Sequence, residues 1–274
     1  MLFRVLLIKS KFLFNINMRV KLSQHFLINK EIIKKIVSKS NLTKKDIVLE
    51  VGAGTGNLTQ ELLKTGAKII AIEVDKRLVS KLKERFGNKK NIKIIQADIL
   101  KYEIPQSITR IVSNLPYEIS APITEKLIKE WNGKYWCVLM YQQEFAEKML
   151  AAPGVPWFSR ISFLINTYTK CKELFLVGRE NFHPIPKVDS MVVELHPLKN
   201  FDEKLIFFAN CLFNHKNKTI KNSLISSRKK LNMGKKDISM KLEKVNKEIS
   251  NKKVWQAELK EIKKVYNVFK KFLP

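Results

Sequence analysis

Residues 48–58 read VLEVGAGTGNL, an apolar run that stops at three alternating glycines, Gly52, Gly54 and Gly56. Apolar residues running straight into glycine describe a strand that ends in a turn too tight for side chains. The following NLTQELLKTG spaces its leucines as a helix does and stops at Gly66. Strand, glycine turn and helix in that order aim backbone N–H groups and a helix N-terminus at one point, where a ligand can sit. A dinucleotide fingerprint, G-x-G-x-x-G, asks for its third glycine at position 57, and Asn57 stands there. The pattern is G-x-G-x-G preceded by Glu50.

Outward from this turn the alternation continues. KIIAIEVD (68–75), NIKIIQAD (91–98), RIVSNLP (110–116) and YWCVLMYQ (135–142) read as further strands. Helical patterns lie among and after them: KRLVSKLKERFG (76–87), EISAPITEKLIKEW (118–131) and QEFAEKML (143–150). Strands apolar almost throughout, alternating with helices, predict a parallel sheet covered on both faces. An amphipathic helix starting at Lys30 precedes the unit, and AAPGVPWFSR (151–160), with two prolines and a glycine, reads as a long loop. CKELFLVG (171–178) and SMVVELHP (190–197) are two more strands. RENFHPIPKVD between them holds two prolines and cannot be a helix, so the pair is antiparallel and the sheet edge is mixed. The expected fold is therefore α/β, a mostly parallel seven-stranded sheet with an antiparallel edge.

After Leu198 the texture changes. Residues 199–274 carry 20 Lys/Arg against 7 Asp/Glu, +13 of the chain's net +27, with apolar residues at helical spacing. A small basic all-helical domain (199–274) is expected to follow a catalytic domain (18–198), with residues 1–17 an extension outside the fold and a mitochondrial-type transit sequence as the other reading of that stretch. The extension is basic and apolar, but its longest apolar run, VLLI, is shorter than a signal-peptide core, and no stretch reaches membrane-span length. A lysine-rich coding bias can make any protein basic; a functional charge of this size points to a polyanion, most simply nucleic acid. Cys137, Cys171 and Cys211 lie far apart and the four histidines are scattered, which excludes a disulfide framework and predicts no metal site. Three such cysteines fit a reducing compartment, and a cytoplasmic monomer is expected.

Chemistry is expected at the carboxyl ends of the strands. Glu73 ends the second strand, behind the glycine turn, and Asp98 ends the third, followed by Ile99. Residues 113–117 read SNLPY at the end of the fourth. The glycine turn resembles the first motif of class I S-adenosylmethionine-dependent methyltransferases, and Asn-Leu-Pro-Tyr resembles the catalytic turn of amino-group N-methyltransferases. LSQHFLIN (22–29), FHPIPKVDSMVV (182–193) and LFNHKNKTIKNSL (212–224) make the chain similar, in order along its length, to the ribosomal RNA adenine N6,N6-dimethyltransferases.

That resemblance implies S-adenosylmethionine as cofactor and, as substrate, two adjacent adenines in a hairpin loop near the 3′ end of small-subunit ribosomal RNA, within an immature subunit. It implies that Asn114 Oδ1 and the Leu115 carbonyl, held by Pro116, accept the amine hydrogens, while Tyr117 stacks on the flipped base and Phe182 faces it from the other side. His25 and Leu27 would border the cofactor through their backbone, Gly52 and Gly54 its methionine part, Glu73 the ribose, and Asp98 and Ile99 the adenine. Asn114 would touch both cofactor and target. Lys216, Lys218, Lys221, Arg228, Lys229 and Lys230 would meet phosphates. Where many bacterial members read Gln-Asn-Phe-Leu, this chain reads Gln24-His25-Phe26-Leu27. Three rival readings are a 23S ribosomal RNA adenine methyltransferase of the macrolide-resistance type, a non-catalytic RNA-binding assembly factor, and a nicotinamide dehydrogenase. HPIPKVDS and KTIKNSL speak against the first, the intact Asn114–Tyr117 turn against the second, and Asn57 against the third.

Overall fold

A computed structural model describes residues 25–131, 133, 135–198 and 201–273. The expected extension at residues 1–17, and residues 22–24 of the first motif, lie outside the described residues. Seven strands form one sheet: β2 (Ile47–Val51), β3 (Lys68–Glu73), β4 (Ile92–Gln96), β5 (Arg110–Asn114), β6 (Trp136–Gln142), β7 (Thr169–Val177) and β9 (Ser190–Pro197), in the spatial order β4-β3-β2-β5-β6-β9-β7. β2 through β6 are parallel, whereas β9 runs antiparallel to both β6 and β7. The order reverses between β3-β2 and β5-β6, so a crevice opens above the carboxyl end of β2, where open α/β sheets bind ligands.

Helices α1 (Lys30–Lys39), α2 (Asn57–Lys64), α3 (Lys76–Phe86), α4 (Ser120–Lys129), α5 (Gln143–Leu150) and α6 (Arg160–Tyr168) accompany this sheet. The apolar stripe of α3, Leu78, Val79, Leu82 and Phe86, is buried, and its polar face is solvated. The sequence pattern missed α6. Residues 161–165, Thr167 and Tyr168 are all buried, so the helix has almost no polar face and shows no 3.6-residue period. A second, two-stranded sheet also lacked a sequence signal: β1 (Phe26–Leu27) pairs antiparallel with β8 (Phe182–His183), linking segments 155 residues apart.

From Glu203 the chain is helical: α7 (Glu203–Phe213), α8 (Ile220–Ser226), α9 (Arg228–Leu231), α10 (Lys235–Leu242), α11 (Lys247–Asn251) and α12 (Leu259–Phe269). One hydrophobic cluster runs unbroken from Leu49 beneath the sheet to Leu273. Phe158 and Phe163 both pack on Phe213, with centroids 5.7 Å apart in each pair, and Lys129 pairs with Glu203 at 2.6 Å. The helical segment is therefore fastened to the catalytic sheet by shared core. Cys137 and Cys211 are buried and all three thiols are free; burial pushes Cys171 up to about 12. No helix among the described residues is long and apolar enough to cross a membrane.

Candidate active site

A cleft of about 290 Å³ opens on the carboxyl ends of β2, β3, β4 and β5. Each strand delivers at least one expected residue to it: Gly52 and Gly54 after β2, Glu73 at the end of β3, Asp98 and Ile99 after β4, and Asn114, Leu115, Pro116 and Tyr117 at the end of β5. His25 completes the rim. The strand ends are levelled by a side chain, since Val51 N donates to buried Ser113 Oγ at 2.7 Å.

The glycine turn takes a form only glycine adopts without strain. Gly52 sits at φ +68°, and a Cβ there would come within 3.1 Å of the Pro116 ring, so the glycine turn and the Asn-Leu-Pro-Tyr turn touch. Gly54, at φ +57°, lies under the Phe26 ring, where a Cβ would stand at 3.0 Å. Its N–H donates to Glu73 Oε2 at 3.0 Å. Glu73 Oε1 accepts from Val74 N at 2.8 Å and Asp75 N at 3.0 Å, so three backbone donors fix a carboxylate that is only 3% exposed. A carboxylate offers about four acceptor positions. One ribose hydroxyl can therefore be accepted outright, and a second by sharing with a backbone donor. Asp98 Oδ1 accepts from Leu100 N at 2.9 Å, which orients its carboxylate on the cleft wall.

Behind the turn, Glu50 is 2% exposed and accepts from Thr59 Oγ1 at 2.7 Å. Burial, against the opposing Thr59 hydrogen bonds and with help from the Glu73 charge, pushes its carboxyl up to about 8. Glu50 is therefore held neutral at pH 7 behind the glycine turn.

Asn114 Nδ2 donates to the His25 carbonyl at 3.4 Å. That oxygen can only accept, so the amide nitrogen is turned toward it and Oδ1 remains available as an acceptor. Tyr117 lines the cleft, and its hydroxyl meets Ser190 Oγ at 2.7 Å at the start of β9. Burial raises its pKa, so it stays a neutral phenol.

The two remote motifs meet in space. His25 Nδ1 donates to the Pro184 carbonyl at 2.7 Å, Ile28 N to Asn181 O at 2.9 Å, and Asn29 Nδ2 to Asn181 Oδ1 at 2.7 Å. Asn57, which the sequence used only to reject a dinucleotide site, donates through Nδ2 to the Leu27 carbonyl at 2.9 Å and ties this strap to the glycine turn. Two expected residues fall elsewhere. Leu27 is 4% exposed and lies off the main cleft, against a small adjoining cavity that Asn114 and Gly54 share. Phe182, expected opposite Tyr117, is 1% exposed in the core with Leu27, Phe175 and Val177. Pairing is the reason: Leu27↔Phe182 points to the sheet while Phe26↔His183 points away, because side chains alternate along a strand. The ring nearest Tyr117 is instead His25, with centroids 6.1 Å apart and planes tilted by 31°. Phe26, Val74, Leu100 and Ile119 also line the cleft without having been singled out in the sequence. Only a fixed tertiary arrangement reveals such apolar wall residues.

A model of the family described as ribosomal RNA adenine dimethylase matches residues 15–267. The chain belongs to that family. A probable ribosomal RNA small subunit methyltransferase A from Pyrococcus furiosus is 39% identical over 94% of each chain, and one from Thermotoga petrophila is 41% identical over 77% of this chain and 81% of its own. Among solved structures, a dimethyladenosine transferase from Plasmodium falciparum superposes with TM-score 0.74 at 31% identity, covering 90% of this chain and 98% of that one. The 23S rRNA methyltransferase ErmE superposes with TM-score 0.64 at 23% identity over 89% and 99% of the two chains, and shares the fold. In this adenine dimethylase the six basic residues expected at RNA lie on the helical segment. Lys218, Lys221, Arg228, Lys229 and Lys230 are exposed, and Lys216 is half-buried. Arg228 and Lys229 join Lys235 around an open cleft at the α9–α10 junction.

Proposed function

We propose that this chain dimethylates N6 of two adjacent adenines in the 3′-terminal hairpin loop of small-subunit ribosomal RNA, using S-adenosylmethionine. The observation that carries the reading is the cleft itself: a glycine turn, an oriented Glu73, Asp98 and the Asn114–Tyr117 turn converge on one space. Free thiols support the cytoplasm as the place of action.

The residues fit the cofactor. Glu73 would hold the ribose, Asp98 and Ile99 the adenine, and Gly52 and Gly54 the methionine end. When bound, S-adenosylmethionine supplies an electrophilic methyl group. The protein's task is then to present a weak nucleophile. An exocyclic adenine amine delocalises its lone pair into the ring. Asn114 Oδ1 and the Leu115 carbonyl accept its two hydrogens and draw the nitrogen toward tetrahedral geometry, and Tyr117 holds the base by stacking. Positioning and hydrogen bonding, without a strong base, are the main contribution. Lys218, Lys221, Arg228, Lys229 and Lys230 hold the RNA backbone.

The test is incubation of unmethylated small subunits with the protein and S-adenosylmethionine, followed by mass spectrometry of the RNA. Dimethyladenosine at two adjacent positions is expected, and primer extension on both ribosomal RNAs assigns the subunit. Asn114→Ala should lower methyl transfer by about 100-fold or more while RNA affinity stays within about twofold. Equal loss of both would remove Asn114 from this catalytic role.

A further inference from the structure

Trp157 stands 54% exposed in the loop between α5 and α6. Tryptophan is among the most buried side chains on average, and an exposed one that is held still marks a contact surface. The other rings show the contrast: Trp131 donates its indole N–H to the Tyr135 carbonyl, and Trp136 stacks on His196 at 5.0 Å and under Arg110 at 4.7 Å.

The loop that carries Trp157 is pinned on both sides. Gly154 N donates to Trp255 O at 3.0 Å, Phe158 N to Val155 O at 2.9 Å, and the adjacent Phe158 ring is fully buried against Phe213. Lys216 Nζ donates to the carbonyl of Pro156 at 2.6 Å, which holds the backbone next to Trp157 beside the basic segment that includes exposed Lys218 and, bridged to Thr219, exposed Lys253. On the opposite flank Arg160 pairs with Glu125 at 2.7 Å. Glu125 lies five residues into α4, the helix that starts three residues after Tyr117, about 7.5 Å along its axis. The loop that carries Trp157 thus joins α4, the helix that follows the Asn-Leu-Pro-Tyr turn, to the basic helical segment.

We infer that Trp157 is a stacking platform for an unpaired base of the substrate RNA, other than the target adenine, on the path from the active-site cleft to the lysines at 216–221. Aromatic faces beside cations suit single-stranded RNA: bases stack on the ring while phosphates meet the ammonium groups, whatever the base. A loop whose target base has left its stack offers unstacked neighbours to such a ring. The inference rests on the RNA methylation reading above and adds a positioning residue to it.

The experiment uses the full chain and a hairpin RNA with two adjacent loop adenines, carrying 2-aminopurine at a neighbouring loop position. Trp157→Ala should weaken RNA binding about 5- to 100-fold and abolish the fluorescence change of 2-aminopurine on binding. Trp157→Phe should restore affinity to within about threefold of wild type. S-adenosylmethionine affinity and melting temperature should not move, since the side chain is exposed. Equal RNA affinity for wild type and Trp157→Ala overturns this inference and leaves the methylation reading standing. Failure of the wild-type chain to bind the hairpin overturns this inference alone, because the methylation reading is tested on small subunits. Self-association of wild type that Trp157→Ala abolishes, with RNA affinity equal, assigns the surface to a second copy and overturns the inference.

Discussion

Replacing Glu50 by Gln tests whether the acid behind the glycine turn is kept neutral by burial. In the folded chain its carboxyl is raised from 4.5 to about 8, with burial the largest cause. The sign follows from proton counts. Below pH 4.5 both folded and unfolded chains hold the proton, and the residue adds no pH dependence. Between pH 4.5 and about 8 the folded chain keeps the proton that the unfolded chain has released, so stability falls as pH rises. Each pH unit costs about 1.4 kcal/mol. Over the roughly 2.5 units up to pH 7 the penalty reaches about 3 kcal/mol.

The Glu50→Gln side chain carries no such penalty at any pH. Its carbonyl can still accept from Thr59, but its amide leaves buried donors that cost about 1–3 kcal/mol independently of pH. The informative quantity is therefore the slope and not the absolute stability. Denaturant or thermal unfolding of both proteins at pH 5, 6, 7 and 8 provides it. Relative to Glu50→Gln, wild type should lose about 2.5 kcal/mol between pH 5 and 7, a relative shift of roughly 5–10 °C in Tm. Parallel stability curves for the two proteins would show Glu50 ionised in the folded state, and would refute the claim that desolvation outweighs the Thr59 hydrogen bonds.

Two further outcomes follow from the cleft. Gly54→Ala places a Cβ at 3.0 Å from Phe26 on a backbone at φ +57°; the strained turn should weaken S-adenosylmethionine binding about 5- to 150-fold, for roughly 1–3 kcal/mol of strain, read by calorimetry. Tyr117→Phe removes the hydroxyl that meets Ser190 but keeps the ring face, so methyl transfer should fall less than about 10-fold. Tyr117→Ala removes both and should fall much further in single-turnover assays; equal losses would place the hydroxyl, not the ring, at the centre of the role.

How much of this was legible in the sequence depended on whether the signal was local. The glycine turn, the acids at successive strand ends and the Asn-Leu-Pro-Tyr turn each declare themselves within a few residues, because strand, turn and cap chemistry is short-range. The five parallel strands and the antiparallel pair were equally readable from apolar runs and prolines. α6 was not, since a helix buried on nearly every side has no polar residues to mark its period. Phe182 shows a different limit. Its motif was visible, but which face it presents is set by register against Leu27, 155 residues earlier, and a one-residue shift would send it to the other side.

The same strap explains why motifs so distant in the chain occur together. Residues 25–29 lie on residues 181–184, and three side chains then distribute that contact into the cleft. Asn57 ties the strap to the glycine turn, Asn114 binds the His25 carbonyl, and His25 itself reaches Pro184. Asn114 is thereby oriented by a backbone oxygen belonging to a segment that the catalytic strand never pairs with. The acceptor face of the Asn114 amide is thus set by the first motif, through a hydrogen bond, and the first motif is set by the last. A family pattern spread over more than 150 residues is, in the folded chain, a single connected hydrogen-bonded strap beside Asn114.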